Sequence, residues 1–287
     1  MTGTKRSGTS LWMQILIAAG YPAIGEAFPR RWSEHLKDAN PSGFFESALR
    51  QGVYYRTNPD PRTGHFLFPA DVVEHVVKVF IPGLVRTDLA FVHRVIATIR
   101  PWREYVMSMR RLYALEDARA RASGSTAPRP VRPPPHLEWW SENFALIGDI
   151  GTRRYPVHVQ SFDRLLAEPE EIIGRVLDWI GRRDRLAQAV AAVRPEHRTQ
   201  RAPPLADEER FDDDAARVCD ELYERVDDGR GLEPDFIRAL NELNARLQPE
   251  LRRRAQAVRA AARQRTRASD GLALLEGRDA GDAADGD

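Results

Sequence analysis

The sequence has little cysteine, little lysine and no long apolar run, and each shortage excludes a class of protein. Cys219, the one cysteine among 287 residues, can form neither an internal disulfide nor a structural zinc site, so we expect a reducing, cytoplasmic compartment. No stretch approaches the roughly 20 apolar residues of a membrane-spanning helix, and residues 1–10 lack the apolar segment of a secretory signal. These shortages predict a soluble protein without stable membrane insertion.

The charges of the chain are nearly balanced. It has 43 basic and 42 acidic side chains, for a net charge of +1. No overall electrostatic field therefore favours nucleic acid as a partner. Only three of the basic residues are lysines, Lys5, Lys37 and Lys78. The length is sufficient for one large α/β domain or two small ones with a proper core.

Short β-branched runs alternate with amphipathic segments along the first two thirds of the chain. The patterns predict helices at residues 11–19, 71–77, 102–115, 136–147 and 168–181, and strands near residue 24 and at 76–81, 91–99 and 157–162. Such an alternation predicts an α/β fold with a mainly parallel central sheet flanked by helices. From residue 207 onward the pattern is helical only.

Composition divides the chain into three predicted parts. Residues 1–205 form the α/β domain, with a proline-rich, exposed loop at residues 122–135. Residues 206–267 are a helical extension that packs on this domain and ends in an arginine-rich helix. Residues 268–287 are rich in Gly, Ala and acidic side chains, a composition typical of a disordered tail.

A glycine-rich loop opens the chain. Gly3 and Gly8 are five residues apart, and Thr9 and Ser10 lead directly into the first predicted helix. In such a loop the backbone N–H groups and the positive end of the helix stabilise a phosphate, and hydroxyls add donors. The nucleoside-triphosphate loop, GxxxxGK[ST], has lysine where this chain has Thr9. A small-metabolite kinase is therefore disfavoured, although it stays an alternative.

The loop resembles that of the sulfotransferases that use 3′-phosphoadenosine 5′-phosphosulfate (PAPS). Residues 6–10 read Arg-Ser-Gly-Thr-Ser and follow the family's P-[KR]-S-G-T-[ST] pattern, with Lys5 in place of the proline. The resemblance implies a three-layer, P-loop sulfotransferase-like fold, PAPS as co-substrate, adenosine 3′,5′-bisphosphate (PAP) as product, and no metal. It assigns donor binding to Lys5, Arg6, Ser7, Gly8, Thr9 and Ser10.

Three later segments extend the resemblance. Arg100 follows a predicted strand and Ser108 lies eight residues further on, as in the family's pair that holds the 3′-phosphate. Residues 161–181 resemble the family's Y-E-D-L-L-x-[DE]-P-E segment, with Phe162 in place of the tyrosine near the adenine. Residues 76–84 resemble its K-T-H-L-P segment, which puts Lys78 on the lysine and Phe80 where cytosolic members carry their catalytic histidine.

Phenylalanine cannot accept a proton, so a base must come from elsewhere. Glu26 lies twenty residues after Arg6, close to the spacing at which Golgi tyrosine-protein sulfotransferases place their glutamate base. Glu46 is the alternative, because NPxGFFE-like segments occur in bacterial relatives. The resemblance therefore gives Glu26 the role of general base, while Arg6, with Lys78, stabilises charge on the leaving phosphate.

The expected reaction is transfer of a sulfuryl group to a hydroxyl or amine of a small-molecule, glycan, lipid or peptide acceptor. Glu46 and the aromatic residues Phe28, Trp32 and Phe45 are candidates for acceptor contacts, and the aromatic residues fit a core equally well. A non-catalytic protein is a further alternative, in which the eight arginines of residues 246–267 hold an acidic partner.

Overall fold

The computed structural model describes residues 1–28, 43–124, 130–194, 205–206 and 209–282, with side chains as far as Gln264. The candidate acceptor residue Trp32 lies outside the described residues, as do residues 125–129 of the proline-rich loop. In the part of the chain that is described, no helix has the length and hydropathy required to cross a membrane.

Strands and helices alternate along the first two thirds of the chain. The strands are β1 (Thr2–Gly3), β2 (Ala23–Ile24), β3 (Val76–Val77), β4 (Val95–Ile99) and β5 (Val157–Ser161). The helices of this part are α1 (Thr9–Ala18), α2 (Ile81–Leu84), α3 (Trp102–Ala122), α4 (Pro135–Arg153), α5 (Phe162–Ala167), α6 (Pro169–Ile180) and α7 (Leu186–Val190).

The strands pair in parallel. One sheet has the order β1-β4-β5, and β2 pairs with β3 in a second. Met1 joins their edges, because its amine donates to the Val77 carbonyl at 2.8 Å and its carbonyl accepts from Val79 N–H at 2.9 Å. Across these bonds the strands follow the order β2-β3-β1-β4-β5, so the α/β class is confirmed. The finer expectation of a P-loop sulfotransferase fold stays a prediction.

Helices cover the sheet on both faces. All five residues of β4 are buried, and alternate side chains of a strand point to opposite faces. Ile96 packs with residues of α1, α6 and α7, whereas Val95 and Ala97 pack with residues of α2 and α4. The amino end of α1 and the carboxyl ends of β1 and β4 therefore meet at one edge, where ligands of open α/β sheets bind.

Two further helices, α8 (Asp213–Asp227) and α9 (Pro234–Asp282), pack on α3 and α4. Their buried residues share one cluster with Trp102, Trp139 and Trp140, and the Trp102 indole N–H donates to Asp220 at 2.8 Å. Cys219 lies fully buried in this cluster. Helix α9 continues through Asp282, into the segment for which composition predicts disorder.

The helix predicted at residues 71–77 is wrong. Pro69–Val72 forms a 3-10 turn, and Glu74 has a φ of 58°, a left-handed conformation that ends a right-handed helix. The chain then enters β3. Strand β4 also starts later than predicted, because Leu89–Phe91 forms a 3-10 turn whose Asp88 side chain accepts from Ala90 N–H at 2.9 Å.

Candidate functional site

The glycine-rich loop connects β1 to α1 and needs both of its glycines. Gly8, which caps α1, has a φ of 95°, and a Cβ added there would lie 2.5 Å from Cδ2 of Phe162. A Cβ on Gly3 would lie 2.6 Å from the carbonyl oxygen of Thr98. The loop is closed by two hydroxyls: Ser7 donates to the Thr4 carbonyl at 2.6 Å, and Thr98 to the Ser7 carbonyl at 2.9 Å.

Arg6 and Arg100 connect the loop to the end of β4 and to α3. Nε of Arg6 donates to the Ser108 hydroxyl at 3.1 Å, and a guanidinium N–H of Arg100 donates to the Arg6 carbonyl at 3.2 Å. Burial, and then the charges of Arg100 and Arg111, lower the pKa of Arg6 to about 10. A lowered arginine pKa means that the cation is destabilised where it lies, so an anion next to Arg6 would be stabilised.

Arg100 is itself held on two sides. Its guanidinium donates to Glu104 at 2.8 and 3.0 Å and lies 4.9 Å from the ring centroid of Phe162. Only 6% of Arg100 is exposed. The sequence-predicted donor residues Gly8, Arg100, Ser108 and Phe162 are thus brought together around Arg6.

Lys78 approaches the loop from β3. Its ammonium donates to the Ser10 hydroxyl at 3.2 Å, to the Phe44 carbonyl at 2.9 Å and to Glu46 Oε1 at 3.4 Å. Burial lowers the pKa of Lys78, against the opposing charge of Glu46, and the charge of Arg6 lowers it further. Lys78 and Arg6 therefore belong to one cationic site at the start of α1.

The two candidate bases, Glu26 and Glu46, are neighbours. Their backbones form an isolated antiparallel bridge. Glu46 is buried and ion-paired with Lys78, whereas Glu26 is exposed and has no ion-pair partner among the described residues. Phe45, which precedes Glu46 in the chain, is half-buried with a φ of 52°. Phe28 is also half-buried.

A cluster of acidic and phenolic side chains borders the loop at Lys5, and sequence reasoning missed it. The Lys5 ammonium lies 3.4 Å from Glu138 Oε1, and the Tyr113 hydroxyl donates to Glu138 Oε2 at 3.4 Å. Glu142 lies one turn further along α4. Burial, and then the charge of Glu138, raise the pKa of Glu142 to about 8, although Lys5 opposes the shift. We call Tyr105, Tyr113, Glu138 and Glu142 the acidic cluster.

Little in the sequence indicated the acidic cluster. The four-residue spacing of Glu138 and Glu142 places both on one face of a helix, but does not show what that face meets. Lys5 and Glu138 are separated by 133 positions along the chain, so only the docking of α4 against the loop brings them together.

The arginine-rich part of α9 is partly neutralised by acidic side chains. Arg246 pairs with Asp212 at 3.0 Å and Arg254 with Glu250 at 2.6 Å, and Arg253 also pairs with Glu250. Exposed pairs of this kind contribute little free energy and are typical of a solvated helix face.

Comparison with known proteins gives no relative: neither the protein-family models, nor the curated proteins, nor the solved structures contain a match to this chain. Within the described residues, no group of three or more His, Cys, Asp or Glu side chains is arranged to hold a metal ion. The chemistry that the arrangement supports is anion binding, by the loop, the α1 amino end and the cations Arg6, Lys78 and Arg100.

Proposed function

We propose that the protein is a sulfotransferase that moves a sulfuryl group from PAPS to a hydroxyl or amine acceptor. The observation that carries the proposal is the junction at Arg6. There the loop, the end of β4 and α3 converge through the Arg6–Ser108 bond of 3.1 Å and the Arg100–Arg6 bond of 3.2 Å. The resemblance assigns residues from each of these three elements to donor binding.

The residues around the loop fit a multiply phosphorylated nucleotide. The first backbone N–H groups of α1 have no partner within the helix, and together with Ser10 and Lys78 they would hold the 5′-phosphate end. Arg100 and Ser108 would hold the 3′-phosphate, and Phe162, which lies against Gly8, offers an aromatic face to the base. Guanidinium groups suit phosphate because they donate in a fixed fork.

PAPS supplies an activated sulfuryl group, whose sulfur–oxygen bond to phosphate breaks as a bond forms to the acceptor oxygen or nitrogen. In the proposal Glu26 removes the acceptor proton, and Arg6 and Lys78 stabilise the negative charge that the phosphate gains. Glu26 suits this role because its carboxylate is exposed and without an ion-pair partner among the described residues. Glu46 instead neutralises and positions the buried Lys78.

Donor binding is the first test. Thermal shift with PAP should raise the melting temperature without metal, whereas ATP should give little shift with or without Mg²⁺. In calorimetry the substitution Arg100→Ala should weaken PAP binding by about tenfold to a hundredfold, and Arg252→Ala, at an exposed position of α9, should leave it unchanged. Mg-dependent ATP binding without PAP binding would support the kinase alternative instead.

The second test is turnover. Radiolabelled sulfate from PAPS should appear on at least one member of a panel of phenols, lipids, glycans and tyrosyl peptides. PAP binding without transfer to any class would reject the enzymatic part of the proposal and keep its nucleotide-binding part.

A further inference from the structure

We infer that helix α8 is part of the donor site, because one row of polar side chains on it holds the two segments that carry Arg100 and Phe162. The row consists of Asp220, Tyr223 and Asp227, and we call it the α8 stripe. The words donor site rest on the proposed function. The inference goes beyond that function, since none of the segments that carry the resemblance lies in α8.

The α8 stripe lies on one face of its helix. Asp220, Tyr223 and Asp227 follow one another at intervals of three and four positions within α8, and such intervals bring side chains onto the same helix face. Cys219 and Leu222 lie on the neighbouring face and pack in the hydrophobic cluster with α3 and α4. Packing of that face brings the stripe to the ends of β4 and β5.

Towards β5, the α8 stripe contacts the residues on both sides of Phe162. The Tyr223 hydroxyl donates to the Asp163 carboxylate at 2.7 Å, and the Ser161 hydroxyl donates to the Asp227 carboxylate. Hydrogen bonds to carboxylates are stronger than those between neutral groups. Because both neighbours of Phe162 are bonded to α8, the position of its ring depends on that helix.

Towards β4, the α8 stripe contacts the start of α3. The Asp220 carboxylate accepts from the Trp102 indole N–H at 2.8 Å and from the Arg103 guanidinium at 2.6 and 2.8 Å. Trp102 is buried and follows Arg100 by two positions. Helix α8 therefore also holds the segment that carries Arg100.

The two segments that α8 holds meet at one contact. The guanidinium of Arg100 lies 4.9 Å from the ring centroid of Phe162. In the proposed donor site Arg100 binds the 3′-phosphate and Phe162 stacks on the base of the same nucleotide. Binding groups of this kind must be held to within about 0.5 Å. The members of the α8 stripe are thus positioning residues, which act through Arg100 and Phe162.

Three ligands separate this positioning role from a general effect on folding. PAP carries the base and both phosphates, 1-deoxyribose 3,5-bisphosphate lacks the base, and adenosine 5′-monophosphate (AMP) lacks the 3′-phosphate. In calorimetry the wild type should bind the baseless compound more weakly than PAP, by about tenfold to a hundredfold. A variant that only loses stability changes all three affinities by the same factor, so the ratios of affinities report on position.

Tyr223→Phe removes one hydroxyl and keeps the ring. It should lower the preference for PAP over the baseless compound by about threefold to tenfold. Tyr155→Phe is the matched control, because the Tyr155 hydroxyl also donates to an aspartate, Asp149, at 2.8 Å, but precedes the opposite end of β5. Both variants should lower the melting temperature by about 2 to 4 °C, and Tyr155→Phe should leave the preference unchanged.

Asp220→Ala tests the contact with α3. It should lower the preference for PAP over AMP by a similar factor, because AMP lacks the phosphate that Arg100 binds. The control Asp228→Ala removes an exposed aspartate next to the stripe that pairs with Arg230 at 2.9 Å. This control should match the wild type with all three ligands.

Hydrogen exchange in the nucleotide-free chain gives a readout that does not depend on PAP. The backbone N–H groups of α5, which begins at Phe162, should exchange faster in Tyr223→Phe than in the wild type. In Tyr155→Phe they should exchange at the wild-type rate.

The outcomes separate the inference from the proposed function. An unchanged ligand preference in Tyr223→Phe, or a change of equal size in Tyr155→Phe, would overturn the inference for Phe162. An unchanged preference in Asp220→Ala would overturn it for Arg100, and if that variant does not fold, as judged by circular dichroism, Tyr223→Phe decides alone.

A wild type that binds none of the three ligands would reject the proposed function. Faster exchange of α5 in Tyr223→Phe alone would then still support the positioning of Phe162 by α8. Equal exchange in Tyr223→Phe and the wild type would overturn that positioning as well.

Discussion

Glu26 and Glu46 are paired through their backbones, yet their side chains lie in different surroundings. Glu26 faces solvent, whereas Glu46 and Lys78 form an ion pair in which both side chains are almost fully buried. Breaking a buried pair from one side is strongly destabilising, and changing an exposed carboxylate is not. Substitution of Glu26 should therefore change turnover, whereas substitution of Glu46 should change the stability of the fold.

Glu26→Gln should lower turnover by about a hundredfold and change the free energy of unfolding by less than about 0.5 kcal/mol. Glu46→Gln should cost a few kcal/mol of stability. Urea unfolding and initial rates with saturating PAPS measure both effects, and PAP affinity of Glu26→Gln should equal that of the wild type. Near-normal turnover in Glu26→Gln would remove it from the mechanism and leave Glu46 as the candidate base.

Glu142 should make stability depend on pH. Its pKa is about 8 in the folded chain against an ordinary 4.5, so the folded state keeps a proton that the unfolded state releases. The stabilisation is full below about pH 4.5 and is lost as the pH rises through 8. From pH 5 to pH 9 the free energy of unfolding should fall by up to a few kcal/mol. Glu142→Gln should flatten this slope and Glu170→Gln should not; equal slopes in all three proteins would contradict the assignment.

His136 should also make the free energy of unfolding depend on pH, but in the opposite direction. Burial, and then the charge of Arg254, lower the pKa of His136 to about 4 from 6.5, and its ring packs against Phe211 at 4.9 Å. Its contribution to stability is present above pH 6.5 and is lost as the pH falls through 4. His136→Phe should therefore reduce the loss of stability between pH 7 and pH 4, as measured in denaturant titrations. An equal loss of stability in the variant and the wild type over this pH range would contradict the prediction.

At the scale of elements, α1 has a left-handed glycine at each end. Gly8 and Gly20 have φ values of 95° and 90°, but a Cβ on Gly20 would meet no atom within 4 Å, whereas one on Gly8 would meet Phe162. Substitution of either glycine by alanine therefore carries similar backbone strain. Only the substitution at Gly8 adds a steric clash, with Phe162.

Gly20→Ala should cost about 1 kcal/mol, and Gly8→Ala should cost more and also weaken PAP binding. Adding Phe162→Ala to Gly8→Ala should restore part of the lost stability, with a coupling of about 1 kcal/mol or more in the double-mutant cycle. Thermal unfolding and calorimetry measure both effects. Equal costs for the two glycine substitutions would show that Phe162 does not press on the loop.

The elements that sequence predicts best are those with local start and stop signals. Helix α6 begins at its proline and ends before Gly181, which has a φ of 75°, as pattern and glycine indicated. Strand β4 and the start of α3 follow from a β-branched run and the proline after it. The continuation of α3 to Ala122 was missed, although its residues after 115 are good helix formers.

The candidate site was predictable where one segment carries the signal and unpredictable where two segments meet. Glycine spacing indicated the loop, and the resemblance to sulfotransferases suggested Arg100 and Ser108. The pairing of Arg100 with Glu104 is local, one helical turn apart, but the roles of Glu138 and Glu142 depend on how α4 docks. Composition indicated the helical extension but not how far its residues enter the core.

At the scale of the whole molecule, α8 and α9 complete a core that α3 and α4 begin. Trp102 packs against Phe211 at 5.1 Å and is hydrogen-bonded to Asp220. The hydrophobic packing of α9 includes Leu240, Leu243 and Leu251. Beyond residue 251, its described side chains are exposed or half-buried.

A chain ending at residue 205 should therefore fail to fold, because tryptophan and leucine surface of α3 and α4 would be left in water. A chain ending at residue 258 should keep the melting temperature of the full chain within a few degrees. Near-ultraviolet circular dichroism and thermal unfolding test both. A cooperative transition in the shorter chain would show that residues 1–205 fold alone.

Because Cys219 is buried, its reactivity towards a thiol reagent reports on the opening of this core. It is the one thiol in the sequence, it is fully buried on α8, and burial raises its pKa, so a thiol reagent meets the reactive thiolate only after α8 separates from α3. The rate of modification under native conditions therefore reads out the free energy of that separation, without any engineered label. A nucleotide that binds the loop and Ser108 stabilises α3. The rate of Cys219 modification should therefore fall as the occupancy of the nucleotide site rises.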